Sequence, residues 1–272
     1  MNSIRLIAMD MDGTLLNSRQ ELSAGNIAAL CAAEEKGVKL AICSGRPAGD
    51  TSMFAVTHGF DRMAILSMNG GYCLDRPFGT PYADYAIERD TAMQCFQWFR
   101  ERNMTFACFM QNEIAAFAGE AAAEDIYWCA PWNDPRAPRI LKGEEAVRRF
   151  TEGRVNKFVC IERDREQLQA LGRRLETLPG LEITSSWADN YELMPQGVSK
   201  GRAVKELAEK DGHKVIMTRD DDRLLGDTES GTIRSKKTAD LIERKRIIDE
   251  SKADFAVSIH LNSFKEDRSV HG

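Results

Sequence analysis

The sequence has no apolar stretch near the roughly 20 residues that a membrane-spanning helix requires. Its first apolar run is interrupted by Asp10 and Asp12, and no basic segment precedes a long apolar one, as a secretory signal would need. These features predict a cytoplasmic protein that has no membrane partner.

Cysteine is present in a pattern that argues against a disulfide framework. The seven cysteines include no Cys-x-x-Cys pair, and Cys43, Cys108 and Cys160 lie in apolar, strand-like runs. They are therefore expected to be reduced core thiols. The net charge of −5, without a basic stripe, argues against a nucleic-acid partner. The 272 residues suffice for one large domain or two modest ones.

Two carboxylates follow the first apolar run. Residues 4–8 predict a buried strand, and Asp10 and Asp12 stand two positions apart at its end, where they can face one substrate. Gly13 permits a sharp turn, and Thr14 adds a hydroxyl. One carboxylate can attack phosphorus, while the other protonates the leaving oxygen and then deprotonates a water. The alternative is an acidic turn that only ends the strand.

The sequence Asp-Met-Asp-Gly-Thr at residues 10–14 resembles the first motif of the haloacid dehalogenase (HAD) phosphatases. The resemblance implies that Asp10 is the nucleophile and Asp12 the acid/base catalyst. With it we expect Thr14 to help bind phosphate, and both carboxylates to be ligands of Mg²⁺.

A second apolar run, residues 38–43, follows a predicted helix, so a right-handed βαβ unit with a parallel sheet is expected. Ser44, Gly45 and Arg46 come next and suit a phosphate oxygen, although a Ser cap before a Pro-initiated helix is the alternative. The segment resembles the second HAD motif, which implies that Ser44 binds phosphate. We expect Gly45 to do the same and Arg46 to contact substrate.

A third predicted strand, residues 63–67, leads into Met-Asn-Gly-Gly. This segment resembles the Asn-Gly segment of the Cof-type (subclass IIB) sugar phosphatases of the HAD superfamily. It implies that Asn69 contacts substrate, but Asn-Gly is also an ordinary turn signal.

Further along the chain, Ser199 is placed to cap a helix that has Lys200 in its first turn. A cation there opposes the helix dipole, so it is stabilised only if an anion such as a transferring phosphoryl group is also present. A solvated surface lysine is the alternative. Gly-Val-Ser-Lys-Gly at residues 197–201 resembles the third Cof-type motif, which implies that Lys200 binds phosphate.

The predicted organisation has four parts. Residues 1–80 form the first part of an HAD-like core, and residues 188–210 return to it with a helix. Residues 81–187 read as an α+β insert, which in the Cof-type family is a cap that selects substrate. Residues 211–272 complete or flank the core sheet. Tryptophans of the insert and its end could line a sugar pocket, although core packing is the alternative: Trp98, Trp128, Trp132 and Trp187.

The fourth Cof-type motif, a Gly-Asp with a second acid pair for Mg²⁺, is absent. From about Asp211 the chain instead resembles the zinc-dependent N-acetylmuramoyl-L-alanine amidases, through residues 212–222 and 258–263. A catalytic zinc needs about three protein ligands, and His260 alone matches one. The resemblance implies a chimeric chain whose amidase-like fragment is inactive alone.

The order of elements survives this change. We predict that residues 215–218 replace the missing strand, followed by a helix at 235–250 and a strand at 255–259. Asp220 and Asp221 would then reach the metal site and bind Mg²⁺. A solvated acidic turn is the alternative.

The sequence therefore predicts an α/β protein with a Rossmann-like parallel core sheet, an inserted α+β cap and a C-terminal βαβ segment. The function it favours is Mg²⁺-dependent hydrolysis of a small sugar or cofactor phosphate through an aspartyl-phosphate. The alternative is a fragment of a Zn²⁺ peptidoglycan amidase. The oligomeric state is left open.

Overall fold

Two β-sheets make up most of the protein. In a computed structural model, residues 4–117, 134–186, 188–218, 225 and 233–251 are described. The first sheet contains the parallel strands that the sequence predicts, and the second is formed by an inserted segment that runs from Arg89 to Pro195 rather than over the predicted residues 81–187. The predicted α/β class is confirmed.

The first sheet has five strands, which are adjacent in the order of the chain. They are β1 (Leu6–Asp10), β2 (Lys39–Cys43), β3 (Ala64–Ser67), β4 (Tyr72–Leu74) and β5 (Pro81–Asp84). The first three are parallel, and β4 and β5 are antiparallel to their neighbours. Helices α1 (Ala24–Glu35) and α2 (Ala48–Thr57) connect the parallel strands. The parallel strands therefore end at one edge of the sheet, as their apolar runs predict.

The second sheet has six strands and packs around a core rich in phenylalanine. In chain order its helices and strands are α3 (Arg89–Glu101), β6 (Thr105–Met110), β7 (Glu113–Phe117), β8 (Arg139–Leu141), α4 (Gly143–Glu152), β9 (Lys157–Ile161), α5 (Arg165–Leu175), β10 (Leu181–Thr184) and β11 (Asn190–Pro195). The strand order is β10-β11-β9-β6-β7-β8, antiparallel except for β7 and β8. Phe99, Phe106 and Phe158 are fully buried in its core.

After β11 the chain returns to the first sheet through helix α6 (Lys200–Lys210). Ser199 caps the helix, since its Oγ accepts a hydrogen bond from the backbone N–H of Arg202 at 3.1 Å. Ala203 and Leu207 are buried against Leu66 of the core sheet. This packing places the N-terminus of α6 beside the strand ends.

The predicted strand at residues 215–218 is not formed. Helix α6 ends at Lys210 and is followed by Gly212, whose φ of +81° lies in the left-handed region, and no strand follows within residues 213–218. Val215 packs against the apolar cluster of Leu6 and Leu207, whereas Ile216 is 44% exposed. One apolar anchor holds the segment on the core without a ladder to the sheet. Within the described part of the chain, β1 therefore pairs with β2 alone.

The last described element is helix α7 (Ile233–Ser251), where the sequence predicts a helix at 235–250. The predicted strand at 255–259 lies outside the described residues. No helix in the described ranges combines the length and apolar character that crossing a bilayer requires.

Candidate active site

Four chain segments bring polar side chains to one edge of the first sheet. Asp10 ends β1 and is paired in register with Cys43, the last residue of β2. Ser44 follows β2 directly, and Asn69 follows β3 in a short 3₁₀ turn. Lys200 reaches the same edge from α6. The strand ends thus place together residues that are distant in sequence.

Asp10 and Lys200 form the central contact of the site. Lys200 Nζ donates to Asp10 Oδ1 at 2.8 Å, and the backbone N–H of Met11 donates to the same oxygen at 2.9 Å. The side chains of Lys200 and Asp10 are only 9% and 13% exposed. Two donors therefore fix the orientation of this carboxylate in a site largely shielded from water.

A turn over Met11–Leu15 places the second carboxylate. Gly13 has a φ of +73°, in the left-handed region that glycine adopts without strain. Asp12 and Thr14 are exposed in this turn. The turn thus separates a shielded Asp10 from an Asp12 that is open to solvent.

Arg46 binds Asp12 through two hydrogen bonds. Its Nη2 and Nε donate to the two carboxylate oxygens at 2.6 and 3.1 Å. The same guanidinium contacts Asp50 at 3.2 Å and Gln20 at 2.8 Å. Burial lowers the pKa of Arg46, but Asp12 and Asp50 outweigh it, and the pKa is raised overall. Arg46 thus remains a cation that holds both acids.

The loop after β2 is closely tied to the loop after β3. Ser44 is 1% exposed, and its Oγ accepts from the backbone N–H of Arg46 at 3.2 Å. The backbone N–H groups of Asn69 and Met68 donate to the carbonyls of Ser44 and Arg46 at 3.0 and 3.1 Å. The predicted phosphate-binding residues Ser44 and Gly45 therefore lie on a loop that is fixed from the core side.

The neighbouring thiol of Cys43 is chemically quiet. Burial raises the pKa of Cys43 far above its ordinary value, although the charge of Lys200 opposes this. The side chain is 1% exposed. A neutral, enclosed thiol does not compete with Asp10 as a nucleophile.

Two buried charged residues that the sequence reasoning missed reach the same loops from the inserted segment. Lys157 of β9 donates to the Gly45 carbonyl at 2.8 Å and to Glu192 of β11 at 3.0 Å. Glu192 also accepts from Asn69 Nδ2 at 2.8 Å. The signal available in the sequence was a lysine beginning an otherwise apolar strand, since such a charge needs a partner when buried.

Other predicted site residues are not brought into this group. Trp98 packs against the core of the inserted segment, and the Arg102 guanidinium lies 4.1 Å from its ring centroid. The remaining predicted residues lie outside the described ones: Asp220, Asp221, His260, Trp128, Trp132 and Trp187.

The carboxylate oxygens of the described residues do not by themselves form a complete Mg²⁺ site. Both oxygens of Asp12 accept from Arg46, and Asp10 Oδ1 accepts from Lys200. In the part of the chain that the structure describes, no three His, Cys, Asp or Glu side chains are grouped to hold a metal. Mg²⁺ prefers six oxygen ligands, part of them water or substrate phosphate.

The arrangement defines a class of protein. The sequence model of the haloacid dehalogenase-like hydrolases matches residues 7–218, which include both strand-end loops and α6. The chain belongs to this family and is a phosphatase-type hydrolase. The model of the N-acetylmuramoyl-L-alanine amidases matches residues 199–272, so the two matches overlap at 199–218. The predicted junction near Asp211 falls within this overlap.

Bacterial phosphatases are among the relatives. The chain is 27% identical over 226 residues to the phosphatase YwpJ of Bacillus subtilis, covering 76% of this chain and 79% of YwpJ. It is 29% identical over 218 residues to the pyridoxal phosphate phosphatase YbhA of Escherichia coli, covering 76% and 77%. YbhA is named for a small phosphorylated substrate, pyridoxal phosphate.

Solved structures share the fold. A haloacid dehalogenase-like hydrolase from B. subtilis superimposes with a TM-score of 0.64 at 24% identity, covering 77% of this chain and 79% of that one. The HAD subclass IIB sugar phosphatase BT4131 superimposes with a TM-score of 0.61 at 18% identity, covering 78% and 77%. At these identities the likeness concerns the fold alone.

Proposed function

We propose that this protein hydrolyses phosphate monoesters of small sugars or cofactors through a phosphoaspartate formed on Asp10. The observation that carries the proposal is the contact of 2.8 Å between Lys200 Nζ and the Asp10 carboxylate at the end of β1. A cation and a shielded carboxylate that meet across 190 residues of chain are the elements that attack on a phosphate dianion requires.

In the first step the phosphate lies between Ser44 and Lys200, whose ammonium offsets its negative charge. A carboxylate oxygen of Asp10 attacks phosphorus, and the bond between phosphorus and the alcohol oxygen breaks. Protonated Asp12 gives its proton to that oxygen, so a neutral alcohol leaves. The anchoring of Asp10 Oδ1 by Lys200 and Met11 fixes the direction of attack.

The second step regenerates the free carboxylate of Asp10. Asp12, now a carboxylate, takes a proton from a water that attacks the phosphorus of the phosphoaspartate. The acyl-phosphate P–O bond breaks, and Asp10 is released together with inorganic phosphate.

Arg46 connects substrate binding to this proton transfer. Its guanidinium donates hydrogen bonds to both oxygens of Asp12. A phosphate dianion is an equally good two-pronged acceptor for arginine. An arriving substrate thus draws Arg46 away, and the freed Asp12 takes a proton from solvent water before it acts as the acid.

The substrate class is inferred from the relatives. One is named as a pyridoxal phosphate phosphatase, and another, YwtE of B. subtilis, as a 5-amino-6-(5-phospho-D-ribitylamino)uracil phosphatase. Both substrates carry a phosphate on a primary alcohol next to a ring or polyol. We therefore expect turnover of pyridoxal phosphate, sugar phosphates or both.

The test compares purified wild type with Asp10→Asn on 4-nitrophenyl phosphate, pyridoxal phosphate and a panel of sugar phosphates, with Mg²⁺ present. Asp61→Asn, an exposed residue of the same sheet unit, is the matched control. We expect Asp10→Asn to abolish turnover and Asp61→Asn to retain it. Full activity in Asp10→Asn would refute the proposed nucleophile.

A second variant tests the intermediate. 4-Nitrophenolate leaves without a proton, so Asp12→Asn should still form the phosphoaspartate while hydrolysing it slowly. Mass spectrometry of the acid-quenched protein should show one added phosphoryl group on the peptide that contains Asp10. Absence of that adduct, with turnover continuing, would contradict the covalent mechanism.

No amidase activity is proposed. His260 is one of about three ligands that a catalytic zinc needs, and it lies outside the described residues. We predict that the purified chain binds no stoichiometric zinc, which metal analysis after dialysis would check.

A further inference from the structure

The contact between the inserted segment and the phosphate-binding loop is made by a buried ion pair. Lys157 and Glu192 lie on β9 and β11, which are neighbours in the second sheet, and are 3% and 5% exposed. Their charged atoms are 3.0 Å apart. Burying two charges is costly, and removing one partner leaves the other uncompensated. Packing of the sheet alone therefore does not account for this pair.

The pair does not end within its own sheet. The Lys157 ammonium donates to the Gly45 carbonyl at 2.8 Å, between Ser44 and Arg46. Glu192 accepts from Asn69 Nδ2, and its other oxygen accepts from Ser186 Oγ at 2.6 Å. Each member of the pair thus holds one of the two core loops.

The approach is close enough to depend on glycine. A Cβ at position 45 would lie 3.1 Å from Asn69 Oδ1 and 3.4 Å from Lys157 Nζ. The first separation is tighter than most real contacts, so the Asn69 side chain would have to shift by a few tenths of an ångström to admit a larger residue. The loop position and the ion pair are therefore coupled.

Lys157 is enclosed on its remaining side. The ring centroid of Phe109 lies 4.9 Å from the ammonium nitrogen. Its contacts with Gly45, Glu192 and Phe109 turn the cation toward protein groups. This favours a positioning role over direct binding of substrate.

The charge state of Glu192 agrees with this arrangement. Burial raises the pKa of Glu192, but Lys157 and the hydrogen bonds from Ser186 and Asn69 outweigh it, so the pKa is lowered overall. The carboxylate therefore stays ionised and keeps both loops held at neutral pH.

We infer that Lys157 and Glu192 are positioning residues through which the inserted segment sets the geometry of the Ser44-Gly45-Arg46 loop for phosphate. The inference rests on the phosphatase mechanism proposed above. It adds that the affinity of the core loop for phosphate depends partly on two residues of the insert that contact the core loops but not the phosphate.

The test separates positioning from stability. Lys157→Met alone leaves Glu192 buried without its cation, so it is compared with the double variant Lys157→Met/Glu192→Gln, which removes both charges. The matched control is Glu113→Gln, whose carboxylate pairs with Arg139 and Arg149 of the insert. Melting temperature, the KM and kcat for 4-nitrophenyl phosphate, and the Kd for inorganic phosphate by calorimetry are measured for each.

We expect the double variant to melt nearer to wild type than Lys157→Met does. Its Kd for phosphate and its KM should nevertheless be about tenfold higher than those of wild type, because the donor to the Gly45 carbonyl is lost. The control should lose thermal stability while its Kd for phosphate is unchanged. Melting temperature and phosphate affinity should thus vary independently.

Three results would overturn the inference. A double variant that binds phosphate as wild type does would refute positioning while leaving the phosphatase proposal intact. If both the Kd for phosphate and the melting temperature of the double variant return from the values of Lys157→Met toward those of wild type, the ion pair has a purely structural role. Wild type that neither binds phosphate nor turns over any ester would remove the proposed function and this inference with it. If the double variant does not fold, the variant Lys157→Gln/Glu192→Gln is compared in the same way. It keeps a polar group at both positions, but the glutamine at position 157 is too short to reach Gly45.

Discussion

Replacing Lys200 by methionine is expected to reduce stability and turnover by separable amounts. Lys200 and Asp10 are both nearly enclosed, so among the described residues removing the cation leaves the Asp10 carboxylate with the Met11 N–H as its donor. Breaking a buried pair costs about 3–5 kcal/mol of folding free energy. Removing a cation from the first turn of a helix returns about 0.3–1 kcal/mol, since it opposed the helix dipole. The net loss should be about 3 kcal/mol.

The effect on turnover has a different origin. Lys200 offsets charge on the transferring phosphoryl group, and removing one such electrostatic group typically lowers kcat by about 10²–10³. The assay is kcat/KM on 4-nitrophenyl phosphate at a temperature where both proteins are folded, with urea unfolding alongside. Lys205→Met is the matched control, because Lys205 lies on the same helix in an exposed pair with Glu209 at 3.8 Å. Wild-type kcat/KM in Lys200→Met would refute the reasoning, whatever its stability.

Three further predictions concern the same site. Arg46→Lys should raise KM about tenfold, because an ammonium cannot hold two oxygens as a guanidinium does; initial rates check this, and an unchanged KM would contradict the proposed exchange with substrate. Glu192→Gln should be less stable than wild type at neutral pH. The lowered pKa of Glu192 means that its contribution is lost as pH falls below its ordinary value of 4.5, so the gap in urea unfolding should close in acid. Chelation should abolish turnover until Mg²⁺ is added; full activity after chelation would contradict a metal requirement.

The strand-end site could be predicted from sequence because its parts are local. Short apolar runs followed directly by Asp10 and by Ser44 mark buried strands whose ends carry polar groups. Parallel strands then place those ends together without further information. The dipole argument for Lys200 supplied the one long-range contact, because an unfavourable cation at a helix start implies a nearby anion.

Partners that depend on side-chain reach could not be predicted. The sequence suggested an Arg46 available for phosphate, whereas it binds Asp12, Asp50 and Gln20 from three segments of the chain. The Lys157 contact to Gly45 spans 112 residues and two sheets. Patterns of apolar residues give the face of a strand but not which loop of another unit lies against it.

The absence of a strand at residues 215–218 does not disturb the position of Asp10. Asp10 is held by five register pairs between β1 and β2, by the turn that follows it and by α6, all of which precede residue 211. The missing neighbour of β1 would have supplied acids for the metal, not donors for phosphate. Phosphate binding through Ser44 and Lys200 should therefore survive alteration of the residues after 211.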